Sequence, residues 1–412
     1  MMHILQQSTP KGFRFGTERI RPPAATLAAN RRFMPLMGIT RLATITGLDR
    51  IGLPVVIAVR PNSRALATSQ GKGASLEAAQ ASALMESIET WHAERITAPL
   101  QYESFQALSE RAAVLDPRML PHRADANYLP DRPLTWIAGH ELFNDRPVWL
   151  PFETVNMNTV RQPGYTPVCM GSTNGLASGN HMVEAILHAA CEVIERDALS
   201  LWELVPEDKR RRCFVTADSI SDPALLHLID HLASQGFALG IWDITSDIGI
   251  PTYTCVLLED PASSKWRSHH MFSGHGTHLS PEIALSRAVH EAIQSRLTAI
   301  SGSRDDFRFS EYSRASNPDD HAHLLAVITG TPGARPFGAI RPPLAHDFEG
   351  DLATVMSRLR HAGIDSMIVV DLSRPEIGIP VVKVVVPGLE GPPIQSYSPG
   401  PRARRYKRNL AA

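Results

Sequence analysis

The chain has 412 residues, of which 43% are hydrophobic and 20% are charged, and its formal net charge is −1. This composition excludes an intrinsically disordered chain, and the near-neutral charge gives no electrostatic reason to expect a nucleic-acid partner. The length allows one large core or two to three ordinary domains.

The cysteines and the apolar segments indicate a cytoplasmic protein that does not enter a membrane. Cys169, Cys191, Cys213 and Cys255 are widely spaced and form no CxxC pair, which disfavours both a zinc site and a disulfide framework. The longest apolar runs, "GLPVVIAV" and "IPVVKVVV", are too short to span a bilayer and are typical of buried strands. The N-terminus lacks an apolar core followed by a small-residue cleavage site, so we expect no signal peptide.

Strand-like and helix-like stretches alternate without the even rhythm of a doubly wound sheet, so we predict an α+β fold. Residues 1–45 are basic and irregular. The segment "IGLPVVIAVRP" then predicts a strand and "GASLEAAQASALMESIETWHAER" a long helix, with the glycines of "GKG" marking the turn between them. Between residues 114 and 170, "LTWIAG" and "RPVWLPFETV" are short strand candidates among scattered prolines.

The second half of the chain begins with a long amphipathic helix in "NGLASGNHMVEAILHAACEVIERDALSLW". The segment "SDPALLHLIDHLASQGF" predicts a helix ending at Gly236, and "ALGIWDIT" and "IPTYTCVLLED" predict strands. A third long helix follows, with Ser280 as its N-cap and Pro281 in its first turn. Beyond a Pro- and Gly-rich loop, "LATVMSRLRHAG" predicts a helix and "IPVVKVVVPGLEGP" a strand, and the basic segment "GPRARRYKRNLAA" predicts a solvated tail.

One face of the helix within residues 174–202 carries an unusual concentration of carboxylates. At about 100° per residue, Glu184, His188, Glu192 and Glu195 share an arc of about 80°, and apolar residues occupy the opposite side. Like charges at this spacing repel each other, and Arg196 is the one cation nearby on the helix. The pattern therefore has two interpretations: a surface helix with solvated carboxylates, or one wall of a cation-binding cleft.

The helix at residues 74–96 repeats the pattern, because Ser82, Glu86 and Glu89 lie within about 60° of one another. Two acidic stripes that face each other across a cleft would raise one another's pKa values or demand cations. Magnesium is the natural cation, because it prefers hard oxygen ligands and commonly joins carboxylates to substrate phosphates. The repetition therefore favours the cleft.

The third long helix adds further polar groups on one side, namely Arg287, Glu291, Gln294 and Thr298, with Arg296 displaced from them. An arginine beside two acidic helices either holds phosphate oxygens or pairs with a surface glutamate. Lys72 likewise has two interpretations: it contacts a phosphate, or it belongs to a turn with a structural role only.

Several familiar motifs are absent from the sequence, namely the GxxxxGK[ST] loop, the GxSxG elbow and the HExxH pair. The histidines of "HH" at 269–270 and of "HGTH" at 275–278 leave a loop metal site as an alternative to solvated side chains.

In its motifs the sequence resembles the YcaO family, from roughly residue 40 to residue 395. The segment "SALMESIE" resembles the SxxxExxE segment of the family, and "NGLASGNHMVEAILHAACEVIERDA" is similar to its second nucleotide-binding segment. "EAIQSR" and "SGSRDD" resemble the third. The resemblance implies a mixed α/β YcaO-type fold in which helices with acidic stripes pack on antiparallel or mixed sheets around an ATP cleft. It implies a basic extension at residues 1–40, a YcaO domain at 41–395 and a basic tail at 396–412.

YcaO proteins bind ATP without a Walker loop, using glutamates that hold magnesium around the triphosphate. For this chain the resemblance implies a set of magnesium ligands or supports of such ligands: Glu86, Glu89, Glu184, Glu192 and Glu195. It also implies a set of nucleotide or phosphate contacts: Arg19, Thr26, Ser82, Asn180, His188, Arg196, Glu291, Gln294, Arg296 and Arg304. Of all these residues, Glu192, Glu195 and Arg296 are the expected catalytic groups.

The sequence departs from the family pattern at two positions. Thr90 stands where the first motif often has arginine, and His188 stands where the second often has glutamine; neither change removes a carboxylate. The segments "SIETWHAE", "GITRLATITGLDRIGLPV" and "VPGLE" look like the branch that pairs with TfuA-type partners.

The resemblance therefore implies an enzyme that modifies backbone amides of a peptide with ATP and Mg²⁺, forming thioamides with a TfuA-like partner. It also implies a homodimer. Two alternatives stay open: an azoline-forming cyclodehydratase that acts on Cys, Ser or Thr of a peptide, and a YcaO protein that binds without turnover.

Overall fold

The computed structural model describes residues 7–123, 127–160, 167–261, 271–304, 306–307, 309–315, 317–330, 332–393 and 397–411. Its helices, in chain order, are α1 (Pro23–Asn30), α2 (Met34–Met37), α3 (Leu76–Ala93), α4 (Phe105–Ser109), α5 (Met182–Trp202), α6 (Glu207–Arg210), α7 (Pro223–Ser234), α8 (Pro281–Ser301), α9 (Phe309–Ala315), α10 (Pro318–Gly330), α11 (Phe348–His361) and α12 (Pro401–Ala411). The three long helices predicted from the sequence are confirmed as α3, α5 and α8.

The strands are β1 (Arg41–Thr44), β2 (Val55–Val59), β3 (Thr68–Lys72), β4 (Leu100–Ser104), β5 (His122–Arg123), β6 (Pro133–Glu141), β7 (Arg146–Pro151), β8 (Leu176–Ser178), β9 (Phe237–Asp243), β10 (Thr252–Glu259), β11 (Met271–Thr277), β12 (Ile368–Asp371), β13 (Val381–Val385) and β14 (Tyr397–Ser398). They form sheets of order β1-β2-β3, β11-β10-β9, β4-β6-β12-β13-β8 with β7 beside β6, and β14-β5. The pairings between these strands are antiparallel, so the predicted α+β class is confirmed.

Three of the strands lead directly into the three long helices: β3 into α3, β8 into α5 and β11 into α8. Each helix begins at a residue whose side chain accepts a hydrogen bond from the first turn, namely Ser75, His181 and Ser280. The predicted N-cap at Ser280 is therefore confirmed. These strand–helix units recur three times along the chain and place three similar helices around one region.

Small residues in the strands let the helices pack closely against them. A Cβ atom on Gly71 of β3 would collide with the backbone of Ala79 and Ala83 in α3. In β11, a Cβ atom on Gly274 would collide in the same way with the backbone of α8. Gly71 and Lys72 thus belong to a strand, which corrects their prediction as part of a turn.

Helix α5 is buried on nearly all sides, because 17 of its 21 residues are buried. Its apolar side, including Ile186 and Ile194, packs in a core with residues of α11 and β13. The carboxyl-bearing side faces other parts of the protein as well, since Glu184 and Glu195 are buried. The interpretation of this helix as a surface helix with solvated carboxylates is therefore wrong.

The basic N-terminal segment is anchored to the rest of the protein rather than irregular and free. The ammonium group of Lys11 lies 2.6 Å from Glu18 and 2.5 Å from Asp351, and all three side chains are buried. The following residues continue into α1 and α2. Residues 11–37 therefore contribute to the folded structure.

The C-terminal segment, predicted as a solvated tail, forms helix α12. Arg402 is buried, with its guanidinium 2.9 Å from Asp197 and 2.5 Å from Asp247. Asp197 lies in α5, so this ion pair ties the C-terminal helix to one of the three long helices. The prediction failed because four of the five arginines and lysines in this segment are exposed and only Arg402 turns inward.

None of the helices within the described ranges combines the length and the apolar character that a membrane-spanning segment requires.

Candidate functional site

Helices α3, α5 and α8 and their preceding strands surround a cleft of about 1070 Å³. Residues of the N-terminal segment, from Phe13 to Thr26, form a further wall. Within that wall, residues Phe13 and Arg19 pair through two backbone hydrogen bonds of 2.8 and 2.9 Å, which makes residues 13–19 a short hairpin. The cleft thus combines parts of the chain that are far apart in sequence.

The three helices present equivalent positions to the cleft. Residues seven, eleven and fourteen positions after the caps Ser75, His181 and Ser280 are, respectively, Ser82, His188 and Arg287; Glu86, Glu192 and Glu291; and Glu89, Glu195 and Gln294. All nine line the cleft. Positions seven, eleven and fourteen lie on one face of a helix, so each helix turns the same face inward. The two acidic stripes seen in the sequence therefore face a common space, and α8 supplies a third, mixed stripe.

Burial shifts the pKa values of the clustered carboxylates upwards. Burial and, to a smaller extent, neighbouring glutamates raise the pKa of Glu89 to about 8 and that of Glu195 to about 7. The pKa of Glu192 is also raised by burial, although Arg196 and Lys383 oppose the shift. Loss of hydration also raises the pKa of Glu86, although the side chain of Glu86 is exposed to the cleft. A nearby cation stabilises the ionised form of such carboxylates, whose pKa values are raised.

The donor set suits a hard divalent cation that brings further ligands with it. Among the described residues, no group of three or more His, Cys, Asp or Glu side chains is close enough to hold a metal ion alone. Mg²⁺ commonly binds through one or two carboxylates, with waters and substrate phosphates completing its coordination. The carboxylates spread along the cleft wall therefore fit Mg²⁺ bound together with a phosphate ligand.

Glu184 lies beneath the cleft and holds the N-terminal segment in place. Its carboxylate accepts hydrogen bonds from the backbone of Ile20 at 2.8 Å and from the side chain of Asn180 at 3.1 Å, and it lies 3.8 Å from Arg19 Nε. Thr26 in turn donates to Asn180 Oδ1 at 3.0 Å. Glu184 was expected either to bind magnesium or to hold a magnesium ligand in place. Its buried position and its partners fit the second role and not that of a ligand that faces the cleft.

Lys72 links the first and third strand–helix units. Its ammonium group donates to Glu291 Oε2 and to Gln294 Oε1, both at 2.9 Å. Burial raises the pKa of Glu291, but Lys72 and Arg196 outweigh that effect and lower it to about 2. Glu291 therefore stays ionised, and Lys72 lies in the cleft where the sequence left its role open.

Lys383 is a buried cation that interacts electrostatically with Glu192 of the cleft, and the sequence analysis did not identify it. It lies in β13, only 3% exposed, and burial lowers the pKa of its ammonium group to about 8 while the nearby charge of Glu192 opposes that shift. A lysine within the apolar run "IPVVKVVV" was the available signal, because a charge inside a buried strand requires a partner. Ser178 was also missed; its backbone and hydroxyl donate to Glu89 Oε1 at 2.8 and 2.6 Å.

Arg296 does not face the cleft, which corrects its expected role as a phosphate contact. It is 2% exposed, and its guanidinium lies 3.1 Å from Asp49 and 2.5 Å from Glu259. The physical reason is the helical period, since five residues beyond Glu291 the side chain of α8 points to the opposite side. Arg287, one turn before Glu291, lines the cleft instead.

The remaining residues that the sequence singled out are an arginine and two pairs of histidines. Arg304 lines the cleft and pairs with Asp306 at 2.5 Å. His275 lines the cleft, and His278 accepts a hydrogen bond from the backbone of Ser280 at 3.0 Å, so neither belongs to a solvated loop. The histidine pair at 269–270 lies outside the described residues.

Comparisons with known proteins agree with this architecture. A family model described as YcaO cyclodehydratase, ATP- and Mg²⁺-binding, matches residues 70–390. A protein of Rhizobium leguminosarum bv. trifolii, named for its position in the tfuA 3′ region, is 36% identical over 383 residues, which cover 90% of this chain and 89% of that protein.

Two solved structures have the same fold. A heterocyclase in complex with substrate and cofactor has a TM-score of 0.78 at 24% identity; the match covers 93% of this chain and 54% of the heterocyclase, so the chain spans about half the length of that protein. YcaO from Methanopyrus kandleri, bound with AMPPCP and Mg²⁺, has a TM-score of 0.72 at 22% identity, covering 93% of this chain and 95% of the other.

Proposed function

The chain belongs to the YcaO family, which binds ATP and Mg²⁺, and we propose that it uses them to modify backbone amides of a peptide, forming thioamides with a TfuA-like partner. The observation that carries this proposal is the cleft in which three equivalent helices bring five carboxylates at equivalent positions together with several cations. Carboxylates suit Mg²⁺, and arginine and lysine suit phosphate oxygens.

Different residues around the cleft would take different parts in binding Mg²⁺ and ATP. Glu86, Glu89, Glu192 and Glu195 would hold Mg²⁺. Burial lowers the pKa of Arg196, but Glu195, Glu291 and Glu192 outweigh that effect and raise it, so Arg196 would stay protonated beside them. A cleft of about 1070 Å³ is at the upper end of ordinary small-molecule sites, which leaves room for a nucleotide and a segment of peptide.

The reaction must overcome two difficulties, because the carbonyl carbon of a peptide amide is a poor electrophile and its oxygen is a poor leaving group. ATP supplies the phosphoryl group that turns the amide oxygen into phosphate, and Mg²⁺ neutralises charge on it. In the thioamide route, hydrosulfide forms a C–S bond and the carbonyl π pair moves to oxygen; that oxygen takes the γ-phosphoryl group as ADP leaves. The C–O bond then breaks, phosphate departs, a proton leaves sulfur, and C=S forms. The cleft residues contribute positioning and fixed charge, which dominate phosphoryl transfer.

The thioamide product is favoured by the relative encoded next to tfuA. The azoline alternative is supported by the cyclodehydratase description of the family and by the likeness to a heterocyclase. In that route a neighbouring Cys, Ser or Thr side chain is the nucleophile, and the amide oxygen again departs as phosphate. Mass spectrometry of a candidate peptide after reaction with ATP and sulfide separates the two, because oxygen-to-sulfur exchange adds about 16 Da whereas cyclodehydration removes about 18 Da.

Turnover itself is tested by phosphate release from Mg²⁺-ATP in the presence of the peptide and a TfuA-like protein. We expect release by the wild type and a loss of at least about a hundredfold for Glu192→Ala, because a carboxylate of the cation site is removed. Glu282→Gln is the matched control, since Glu282 lies in α8 but pairs outside the cleft with Arg341 at 2.7 Å. Equally negligible release by wild type and Glu192→Ala would favour the third possibility, a YcaO protein that binds without turnover.

Assembly and location are further parts of the proposal. We infer a cytoplasmic homodimer from the resemblance to the family. Sedimentation of the purified chain checks the dimer, with a monomer as the contrary result.

A further inference from the structure

Helix α12 is fixed to the rest of the protein near both of its ends. Toward its start, Glu390 accepts a hydrogen bond from the backbone of Ala403 at 2.6 Å, and Arg402 joins the helix to α5. Toward its end, the ammonium group of Lys209 donates to the backbone oxygen of Leu410 at 2.7 Å. The face that α12 turns to solvent is therefore a preformed surface.

The two faces of α12 differ in charge. Arg402 and Tyr406, one turn apart, face the protein: Arg402 is buried, and burial raises the pKa of Tyr406, with smaller contributions from Cys213 and Asp247. Residues 401–412 contain no Asp or Glu. The exposed side chains of the helix include four cations, namely Arg404, Arg405, Lys407 and Arg408. Because residues three and four positions apart are neighbours on a helix surface, these like charges repel each other.

A neighbouring segment adds two more exposed cations. Residues 209–213 lie beside α12, as the contact between Lys209 and the backbone oxygen of Leu410 indicates. Arg211 and Arg212 of this segment are exposed. We call the six exposed cations of α12 and of this segment the basic surface; they are Arg211, Arg212, Arg404, Arg405, Lys407 and Arg408.

The basic surface lacks the carboxylate partners that several other exposed arginines have. Arg111, Arg118 and Arg341 are exposed, and each lies 2.5 to 2.7 Å from a carboxylate oxygen. Within the described residues, by contrast, no cation of the basic surface forms an ion pair with Asp or Glu; Arg404 donates to the backbone oxygen of Pro399 at 2.6 Å. The formal net charge of the whole chain is −1, so this concentration of charge is local. Such a surface favours an anionic partner.

Three features favour an acidic polypeptide over a nucleic acid or a lipid surface. The aromatic ring of α12, that of Tyr406, is half-buried and gives bases no exposed ring on which to stack. Glu207 and Asp208, exposed in the adjoining α6, would repel a polyphosphate backbone, whereas a polypeptide can pair with them through a lysine or arginine. None of the described residues of α12 exposes a large apolar side chain that would enter a lipid interface.

We propose that the basic surface is a docking site for an acidic segment of a polypeptide partner. At about 1.5 Å per residue α12 is about 16 Å long, so the segment would present several carboxylates within about three helical turns. The inference goes beyond the proposed function, since none of the six described cations lines the cleft. A docked partner would lie beside α5, because Arg402 pairs with Asp197, the residue that follows the cleft residue Arg196.

Fluorescence anisotropy of a labelled peptide tests the docking site in the absence of nucleotide. The probe is a helical peptide of about 16 alanines and glutamates, and the control probe has glutamine in place of glutamate. At low salt, we expect the full-length wild type to bind the glutamate peptide at least about tenfold more tightly than the glutamine peptide. Raising the salt from about 50 to about 200 mM should weaken this binding several-fold, because salt screens exposed charges.

Charge reversal on α12 locates the interaction. The double substitution Arg404→Glu and Arg408→Glu should weaken binding of the glutamate peptide at least about tenfold. The double substitution Arg132→Glu and Arg146→Glu is the matched control, because it reverses two exposed charges outside the basic surface and should bind within about twofold of wild type. Thermal unfolding identifies a folding defect; Arg404→Gln with Arg408→Gln, which adds no carboxylate, then takes the place of the reversal and should lose affinity in the same direction.

Several results would overturn the docking site. They are the absence of binding of the glutamate peptide to wild type, equal affinity in the reversed variant, and tighter binding of a single-stranded RNA of about 16 nucleotides or of phosphatidylserine vesicles. Hydrogen exchange provides a second measurement, in which the peptide should slow exchange in residues 401–411. Protection confined to α3, α5 and α8 would instead place the peptide in the cleft and contradict the proposal. Because nucleotide is absent throughout, a protein that fails to hydrolyse ATP can still pass this test.

Discussion

Replacing Glu195 with glutamine should stabilise the ligand-free protein while abolishing its response to Mg²⁺ and nucleotide. Burial, together with Glu291 and Glu192, raises the pKa of Glu195 from 4.5 to about 7 even though Arg196 opposes the shift. Between those pH values the unfolded chain has already lost the proton that the folded protein retains. The free energy of unfolding therefore falls as pH rises from about 4.5 to about 7, and the deficit persists at pH 8.

The magnitude follows from the size of the shift. Each pKa unit corresponds to about 1.4 kcal/mol, so the ionised carboxylate destabilises the ligand-free fold at pH 8 by roughly 3 kcal/mol. Glutamine has nearly the same shape and no charge. For a chain of this length we expect Glu195→Gln to raise the melting temperature at pH 8 by roughly 3 °C, and to change it little at pH 5.

Thermal unfolding at pH 5 and pH 8, with and without AMPPCP and Mg²⁺, provides the assay. A ligand at a hundred times its dissociation constant stabilises a protein by about 2.7 kcal/mol, and only the wild type should gain it. Glu282→Gln is the control, because burial raises the pKa of Glu282 but Arg341 and Ser280 outweigh it and lower the value, so this substitution should destabilise at pH 8. A less stable ligand-free Glu195→Gln at pH 8, or an unchanged response to ligand, would refute the reasoning.

Three further substitutions test the architecture. Arg296→Gln should lower the free energy of unfolding by about 3–5 kcal/mol, because buried carboxylates lose the cation with which they pair. Denaturant unfolding checks this, and a stable variant with weaker nucleotide binding would contradict it. Gly71→Ala should destabilise by several kcal/mol, since its methyl group collides with the backbone of Ala79; a soluble variant with wild-type melting temperature would be the contrary result. Arg402→Ala should leave Asp197 buried and unpaired and release α12. Limited proteolysis should then cut near the C-terminus, and wild-type resistance would speak against that anchor.

Local features of the sequence determined much of the fold and most of the site. Helical periodicity and the cap at Ser280 act over one or two turns, so they predicted the long helices and the inward stripes of α3 and α5. Because side chains at positions Glu86, Glu89, Glu192 and Glu195 share helix faces, their convergence on a cation could be expected from spacing and from the family motifs. A third stripe was also present, since the residues from Gly71 to Glu89 and from Gly274 to Gln294 follow a similar pattern of glycines, cap and helix.

Strands made of small and polar residues could not be predicted in this way. Strand β3 is "TSQGK" and β11 is "MFSGHGT", neither with the β-branched alternation that indicates a strand. Their glycines are there because α3 and α8 lie directly on them, as the collisions at Gly71 and Gly274 demonstrate. Tertiary packing thus overrode local propensity at the strands that form the floor of the cleft.

Only the tertiary structure decided which charged groups meet. Lys72 contacts Glu291 across 219 positions of sequence, and Arg402 contacts Asp197 across 205. Such partners determine whether a charge serves the cleft, as with Arg287, or is neutralised beneath it, as with Arg296. Burial then sets their pKa values, because loss of hydration depends on every element packed around a group. A sequence specifies where charges stand on their own helix, whereas their partners and their exposure to water arise from how the helices and strands pack together.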